Sequence, residues 1–180
     1  MGAHAASLGD RSSRPRRARQ FVHQLPDGCA TTVYVATYPR RLTHLQQLRI
    51  EPGQPLREWA RANAVTEAIA GAAPAIPPAT AAGAALARGR HPRSAIGVSR
   101  DRYIALVCDG YSLRDSGLTV AELEHLMDDL GADAVTHLGG GAHASLVSGG
   151  HLHNRPRDEN GVALLYGRPV ETAIVFAFGR

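Results

Sequence analysis

Apolar and polar positions alternate through Thr31-Thr-Val-Tyr-Val-Ala-Thr37, where β-branched and aromatic residues dominate, and this predicts a strand. Leu45 to Ile50 predicts a second strand, followed by a turn at Glu51-Pro-Gly-Gln54. Pro55 to Asn63 opens with proline in its first turn and sets Leu56, Trp59 and Ala60 on one face, the pattern of a short helix. Val65 to Ala70 predicts a short buried strand. From Gly71 to Gly89 alanine, proline and glycine take over. Pro74, Pro77 and Pro78 forbid a regular helix there, so the stretch predicts a loop with at most one helical turn near Ala81 to Arg88, either a lid or a linker between two halves of one fold.

Ser94–Ser99 and Tyr103–Cys108 predict paired strands joined at Arg100-Asp-Arg. Thr119-Val-Ala-Glu122 is a capping box, and Leu123, Leu126, Met127 and Leu130 continue as one apolar helical stripe. Gly131 stands where a helix C′ glycine belongs. The stretch Gly131–Gly150 reads as a buried strand, three glycines and a second strand; a further strand is expected at His151–His153 and a last one at Glu171–Phe178. Strands outnumber helices and lie close in sequence, which predicts an α+β fold, a mixed β-sheet with few helices, rather than a doubly wound sheet.

The 180 residues suit a single domain, taken as 21–180, behind an arginine-rich tail at 1–20 that lacks apolar periodicity and is expected to be disordered. No apolar run reaches the roughly 20 residues of a membrane span, and Met1–Gln20 has no apolar leader, so the expected location is cytoplasmic. All 20 basic residues are arginine, which excludes lysine Schiff-base chemistry and a P-loop lysine and leaves bidentate phosphate or carboxylate binding. A net charge of +4, much of it in the tail, gives a solvated terminus as the simpler reading, so neither nucleic acid nor membrane is an expected partner. Cys29 and Cys108 lie too far apart for a metal pattern and are expected to be free thiols, Cys108 as core filler.

Candidate chemistry gathers around the triple glycine. Consecutive amides at Gly139, Gly140 and Gly141 can form a concave anion nest, and His137 and His143 flank it. A histidine beside such a nest suits general acid/base work near neutral pH, although either can be an ordinary strand-end residue. Asp109 ends a strand before Gly110, as an acid/base group or a turn cap, and Glu67 is the other carboxylate expected near the centre of the fold. His151 and His153 alternate on one strand but match no zinc spacing, so no metal and no cofactor is expected.

From Arg90 onward the chain resembles the phosphodiester glycosidase family. The resemblance runs in order through His91-Pro-Arg-Ser-Ala-Ile-Gly97, Ala105-Leu-Val-Cys-Asp-Gly110, Ser116–Leu123, the triple glycine, Asn154-Arg-Pro156 and Gly167-Arg-Pro-Val-Glu-Thr-Ala173. Pro55–Gly71 also looks like bacterial members. The resemblance implies a mixed α/β fold and cleavage between a sugar's anomeric carbon and a phosphodiester. It implies a phosphate or sugar clamp at Arg93, an acid/base or positioning role for Asp109, and a binding role for Arg168. Thr119 and Glu122 match too, but the capping box already accounts for them. At the glycine turn the family's asparagine falls on His137, its aspartate on Gly139 (or Leu138, if the glycines are kept in register) and its serine on His143. The family arginine after Asp-Gly is Tyr111, and the segment before the Arg93 motif is shortened.

The chain is therefore expected to be a shortened bacterial-type member acting on a sugar, nucleoside or phosphorylated small molecule. Its catalytic set is Asp109, His143 and Glu67, and its binding set Arg93, His137, Gly139, Gly140, Gly141 and Arg168. It either hydrolyses at an anomeric carbon or serves a specialised biosynthetic pathway as a cyclase, isomerase or lyase. The alternative is a non-catalytic small-molecule or anion-binding protein that keeps the fold. The shortened loop would uncover apolar strand surface, which predicts a homodimer.

Overall fold

A computed structural model describes residues 16–71 and 88–178. The loop expected at 71–89 lies almost wholly outside the described residues, as do positions 1–15 of the tail. Residues 16–20 correct the tail boundary: they begin strand β1 (Arg16–Gln24), which pairs antiparallel with β2 (Ala30–Pro39) through Arg19↔Val35 to Gln24↔Ala30. The backbone of β2 offers an edge, and pairing there outweighs the polar composition of residues 16–20.

Two five-stranded antiparallel sheets face each other. The first has the order β1-β2-β6-β5-β7, with β5 at Arg93–Val98, β6 at Arg102–Cys108 and β7 at Ala134–Gly140. The second has the order β3-β10-β4-β8-β9, with β3 at Thr43–Pro55, β4 at Ala68–Ala70, β8 at Leu146–Ser148, β9 at His151–Leu152 and β10 at Pro169–Phe178. Helix α1 (Leu56–Ala62) covers the outer face of the second sheet, and α2 (Val120–Asp129) that of the first.

The apolar runs follow from this layering, because the central strands are buried on both faces. On β2, Val33 and Val35 pack towards α2, whereas Tyr34, Ala36 and Tyr38 pack between the sheets. On β6, Ile104, Leu106 and Cys108 take the helix side and Ala105 and Val107 the inter-sheet side. Tyr38 stacks on Phe176 of the opposing sheet with ring centroids 4.0 Å apart. Leu56, Trp59 and Ala60 are the buried face of α1, as the helical spacing requires. The capping box of α2 is complete, and Gly131 ends the helix at φ +83°.

Two local expectations change. The turn placed at Glu51–Gln54 is an irregularity inside β3: Val170 pairs with Gln54, but Thr172 pairs with Arg49. Pro52 cannot donate to the ladder, so the extra residues bulge out of it. The strand before the triple glycine is an edge strand in which only Leu138 is buried. It takes in Gly139 and Gly140; Gly141 then opens a 3-10 turn through His143 that carries the chain into β8 of the other sheet. The glycine stretch is thus the crossing between the two sheets. No helix among the described residues is long and apolar enough to cross a membrane.

Candidate functional site

Where the crossing leaves the first sheet, a cleft of about 330 Å³ opens between the two sheets. One wall carries Ser94, Leu138, Gly139, Gly140 and His143; the other carries Ala70, Gly71 and Pro169–Thr172 of β10. Gly71, at φ +120°, lets the walls meet at the base. A Cβ there would run into the Leu138 carbonyl oxygen. Gly140 is fixed in the same way by the Pro92 carbonyl, so the wall lies flush on the start of β5.

The expected anion nest is not three open amides. The Gly141 N–H donates to Pro92 O at 2.8 Å, while Gly139 and Gly140 pair with Ser94 and Arg93. The glycines serve to bring the backbone of β7 close to β5 and to leave Gly139 bare: nothing lies within 4 Å of where its Cβ would stand.

His143 does reach the cleft. Its ring keeps contact with solvent at the mouth, but burial of its inner side lowers its pKa below the ordinary histidine value. The Arg168 guanidinium lowers it further, and the carboxylates of Glu159 and Glu171 act the other way. Arg168, next in sequence to Pro169 of the cleft wall, pairs with Glu159 at 3.3 Å. Glu171 lines the cleft itself, next to the irregularity where β10 changes register on β3. An imidazole and a carboxylate therefore line one opening, within electrostatic reach of a guanidinium.

The other predicted residues stand elsewhere. His137 turns to α2, its Nε2 being 3.2 Å from Glu124 Oε1. Alternation along β5 puts Arg93 on the α2 side. There its Nε donates to Leu118 O at 2.9 Å and its Nη2 to Gly89 O at 2.8 Å, and burial lowers its pKa. These two bonds tie β5 to the chain at Gly89 and Leu118. Asp109 is 3 % exposed. Its Oδ2 accepts from the Tyr34 hydroxyl at 2.9 Å and its Oδ1 from the Arg155 N–H at 2.8 Å, while its carbonyl accepts from Thr31 Oγ1 at 2.7 Å. Burial raises its pKa to about 6 in spite of those donors. Glu67, 5 % exposed, accepts from the Tyr38 hydroxyl at 2.8 Å and from the Gly149 N–H at 2.7 Å. Neither carboxylate lines the cleft, and each has its own tyrosine.

Sequence reasoning passed over Glu171, Ser94 and Tyr111. Glu171 stood inside a quoted motif but read as the first residue of a strand. Tyr111 read as a lost arginine. It holds the left-handed conformation at φ +59°, places its hydroxyl 3.0 Å from His91 Nδ1, and backs onto Gly141. Such strain in a bulky residue persists where the surroundings fix it, here where the chain passes behind the glycine crossing. Cys108 is the expected core filler, its thiol pushed up to about 12 by burial. Among the described residues no three His, Cys, Asp or Glu side chains gather as metal ligands.

A family model described as phosphodiester glycosidase matches residues 10–177. Among solved structures, the catalytic domain of zebrafish N-acetylglucosamine-1-phosphodiester alpha-N-acetylglucosaminidase, auto-inhibited by its pro-peptide, superposes with a TM-score of 0.71. It is 12 % identical, over 96 % of this chain and 86 % of that one. A hypothetical protein from Synechocystis superposes with a TM-score of 0.66 at 14 % identity, over 91 % of this chain and 62 % of that one. No curated protein matches the chain by sequence. At these identities the superpositions speak for the fold.

Proposed function

The chain belongs to the phosphodiester glycosidase family, and from that premise we propose that the cleft between the sheets binds a sugar phosphodiester and cleaves it at the anomeric carbon. The observation that carries this reading is that His143 and Glu171 line a cleft sized for a small ligand, with Arg168 next in sequence to Pro169 of its wall and within electrostatic reach of His143. His143, kept mostly neutral at pH 7 by its lowered pKa, takes the proton of an attacking water. Water adds at the anomeric carbon, the bond from that carbon to the phosphate oxygen breaks, and a phosphomonoester departs with its charge held by Arg168. Glu171 faces the cationic character that develops on the sugar. Asp109 and Glu67 hold the scaffold and make no contact with substrate.

The test is a turnover screen on sugar-1-phosphodiesters, nucleotide sugars included, followed by NMR at the anomeric proton. Cleavage by the full chain that is lost in His143→Ala and kept in Asp109→Asn supports the assignment. Cleavage lost only in Asp109→Asn ends the role given to His143.

A repurposed reaction, as a cyclase, isomerase or lyase of a specialised biosynthetic pathway, is favoured by the replacement of the family aspartate at Gly139 and by the appearance of His143. Natural-product genes beside this one would support it. A non-catalytic binding protein is favoured by a different observation: both carboxylates first expected to be catalytic accept a structural hydrogen bond at each oxygen. No turnover, with ligand affinity unchanged in His143→Ala, would select it. The same reading includes a homodimer, supported by the exposed side chains of Leu113, Val162, Leu165 and Tyr166; light scattering that shows a monomer would end that part.

A further inference from the structure

Three buried side-chain hydroxyls have no hydrogen-bond partner among the described residues: those of Thr43, Ser94 and Ser145. Only Ser94 belongs to the cleft. It is 1 % exposed, and it lies on the inter-sheet face of β5 together with Ile96. An unmade hydrogen bond on a buried hydroxyl is destabilising, and native proteins rarely leave one without a purpose.

The ladder shows what stands across from it. Ser94 stands directly opposite Gly139 in the β5–β7 register, and the register shift beside that pair sets Leu138 out of line. Residues directly opposite in a ladder are neighbours across it. Glycine offers no side chain, and the space where its Cβ would stand is open. The φ of +119° at Gly139 also keeps that position closed to ordinary side chains. A polar group with no partner is thus held in the wall of a small cleft that His143 also lines, with the Arg168 guanidinium in electrostatic reach of that imidazole.

We propose that Ser94 is a specificity-determining residue that reads a sugar hydroxyl: the ligand enters ring first, with its ring against Ser94 and Gly139 and its phosphate outside beside His143 and Arg168. This rests on the reading of the cleft as a sugar-phosphate site and adds the orientation and the group recognised. A cleft of about 330 Å³ is at the small end for ligand sites, which suits one sugar ring and not an oligosaccharide.

The experiment uses the full chain and its Ser94→Ala and Arg168→Ala variants, titrated by calorimetry with glucose 1-phosphate, N-acetylglucosamine 1-phosphate and inorganic phosphate. Thermal unfolding is measured on the same samples. The proposal expects Ser94→Ala to weaken at least one sugar phosphate about two- to tenfold, to leave inorganic phosphate unchanged, and not to lower the unfolding midpoint, since no hydrogen bond within the fold is lost. Arg168→Ala should weaken all the ligands that bind. Unchanged sugar-phosphate affinity in Ser94→Ala, or an equal loss for phosphate and sugar phosphate, overturns it. Wild-type protein that binds phosphate but no sugar phosphate overturns the Ser94 assignment and leaves the anion site standing. Wild-type protein that binds none of the three removes both.

Discussion

Tyr34 and Tyr38 stand four residues apart on the same face of β2, and each donates its hydroxyl to a different buried carboxylate, Asp109 at 2.9 Å and Glu67 at 2.8 Å. Each carboxylate completes its shell with a backbone N–H from the chain beyond β8, that of Arg155 or Gly149. The two pairs tie β2, an inner strand of the first sheet, to segments that flank the second. Their anchors lie about 13 Å apart along the strand, at the rise of an extended chain. Burial and the neighbouring carboxylate raise the pKa of both phenols, so each tyrosine stays a donor throughout the physiological range.

Glu67→Leu should destabilise the fold without touching the reaction. It strands the Tyr38 hydroxyl and the Gly149 amide in the interior, at a cost of about 1–3 kcal/mol for each group left unsatisfied. Urea unfolding measures the loss, and a double-mutant cycle with Tyr38→Phe should return part of it, because the pair acts as a unit. Ligand affinity should stay at the wild-type value.

Asp109 makes stability depend on pH in an unusual direction. Its pKa rises from an ordinary 3.8 to about 6 in the folded protein, so between those values the folded state holds a proton that the unfolded state has released. Its contribution is fully present below the unfolded value and is lost as pH rises through the folded one. The shift corresponds to about 3 kcal/mol. Denaturation at pH 4.5, 6 and 7.5 should show this descending term in wild type and its absence in Asp109→Asn, which can still accept from the Arg155 amide.

The pH–rate profile should show an acidic limb belonging to His143. Because burial and Arg168 lower its pKa, kcat/KM should hold at neutral pH and fall on acidification, with a midpoint below the ordinary 6.5. Arg168→Ala should move the His143 titration upwards, followed by NMR of its ring proton. His143→Ala should lower kcat about 10²- to 10⁴-fold and remove the limb.

Gly71→Ala tests the base of the cleft. The added methyl meets the Leu138 carbonyl in a left-handed backbone, so the sheets must part or the strand must shift. The expected cost is about 2–4 kcal/mol of stability, together with loss of ligand binding. Thermal unfolding and the phosphate titration read both.

Much of the scaffold was legible because periodicity and capping are local. The face of α1, the capping box of α2, the Ser94–Cys108 hairpin and the closing strand all follow from neighbours within a few residues. The start of β1 was not legible: what orders residues 16–20 is the open edge of β2, a partner that composition does not show. The site was legible in place and only partly in residues. The glycine stretch pointed to the cleft, and His143 lines it. Asp109 and Glu67 carried the expected charge but face tyrosines of the first sheet, and Arg93 turns to the carbonyl oxygens of Leu118 and Gly89. Strand parity decides such questions, and the irregular registers beside Leu138 and Glu171 reset it.

The cleft has one wall from each sheet, and the sheets touch at its base through Gly71 and Leu138. Its width is therefore a gauge of how far apart the central layer of side chains holds them. Exchanging Ile96, Leu146 or Ile174 for residues of other volume would widen or narrow the opening with no change to any group that meets the ligand. Selectivity in this scaffold can drift through the interior alone, and relatives that share every residue of the cleft can still differ in what fits inside it.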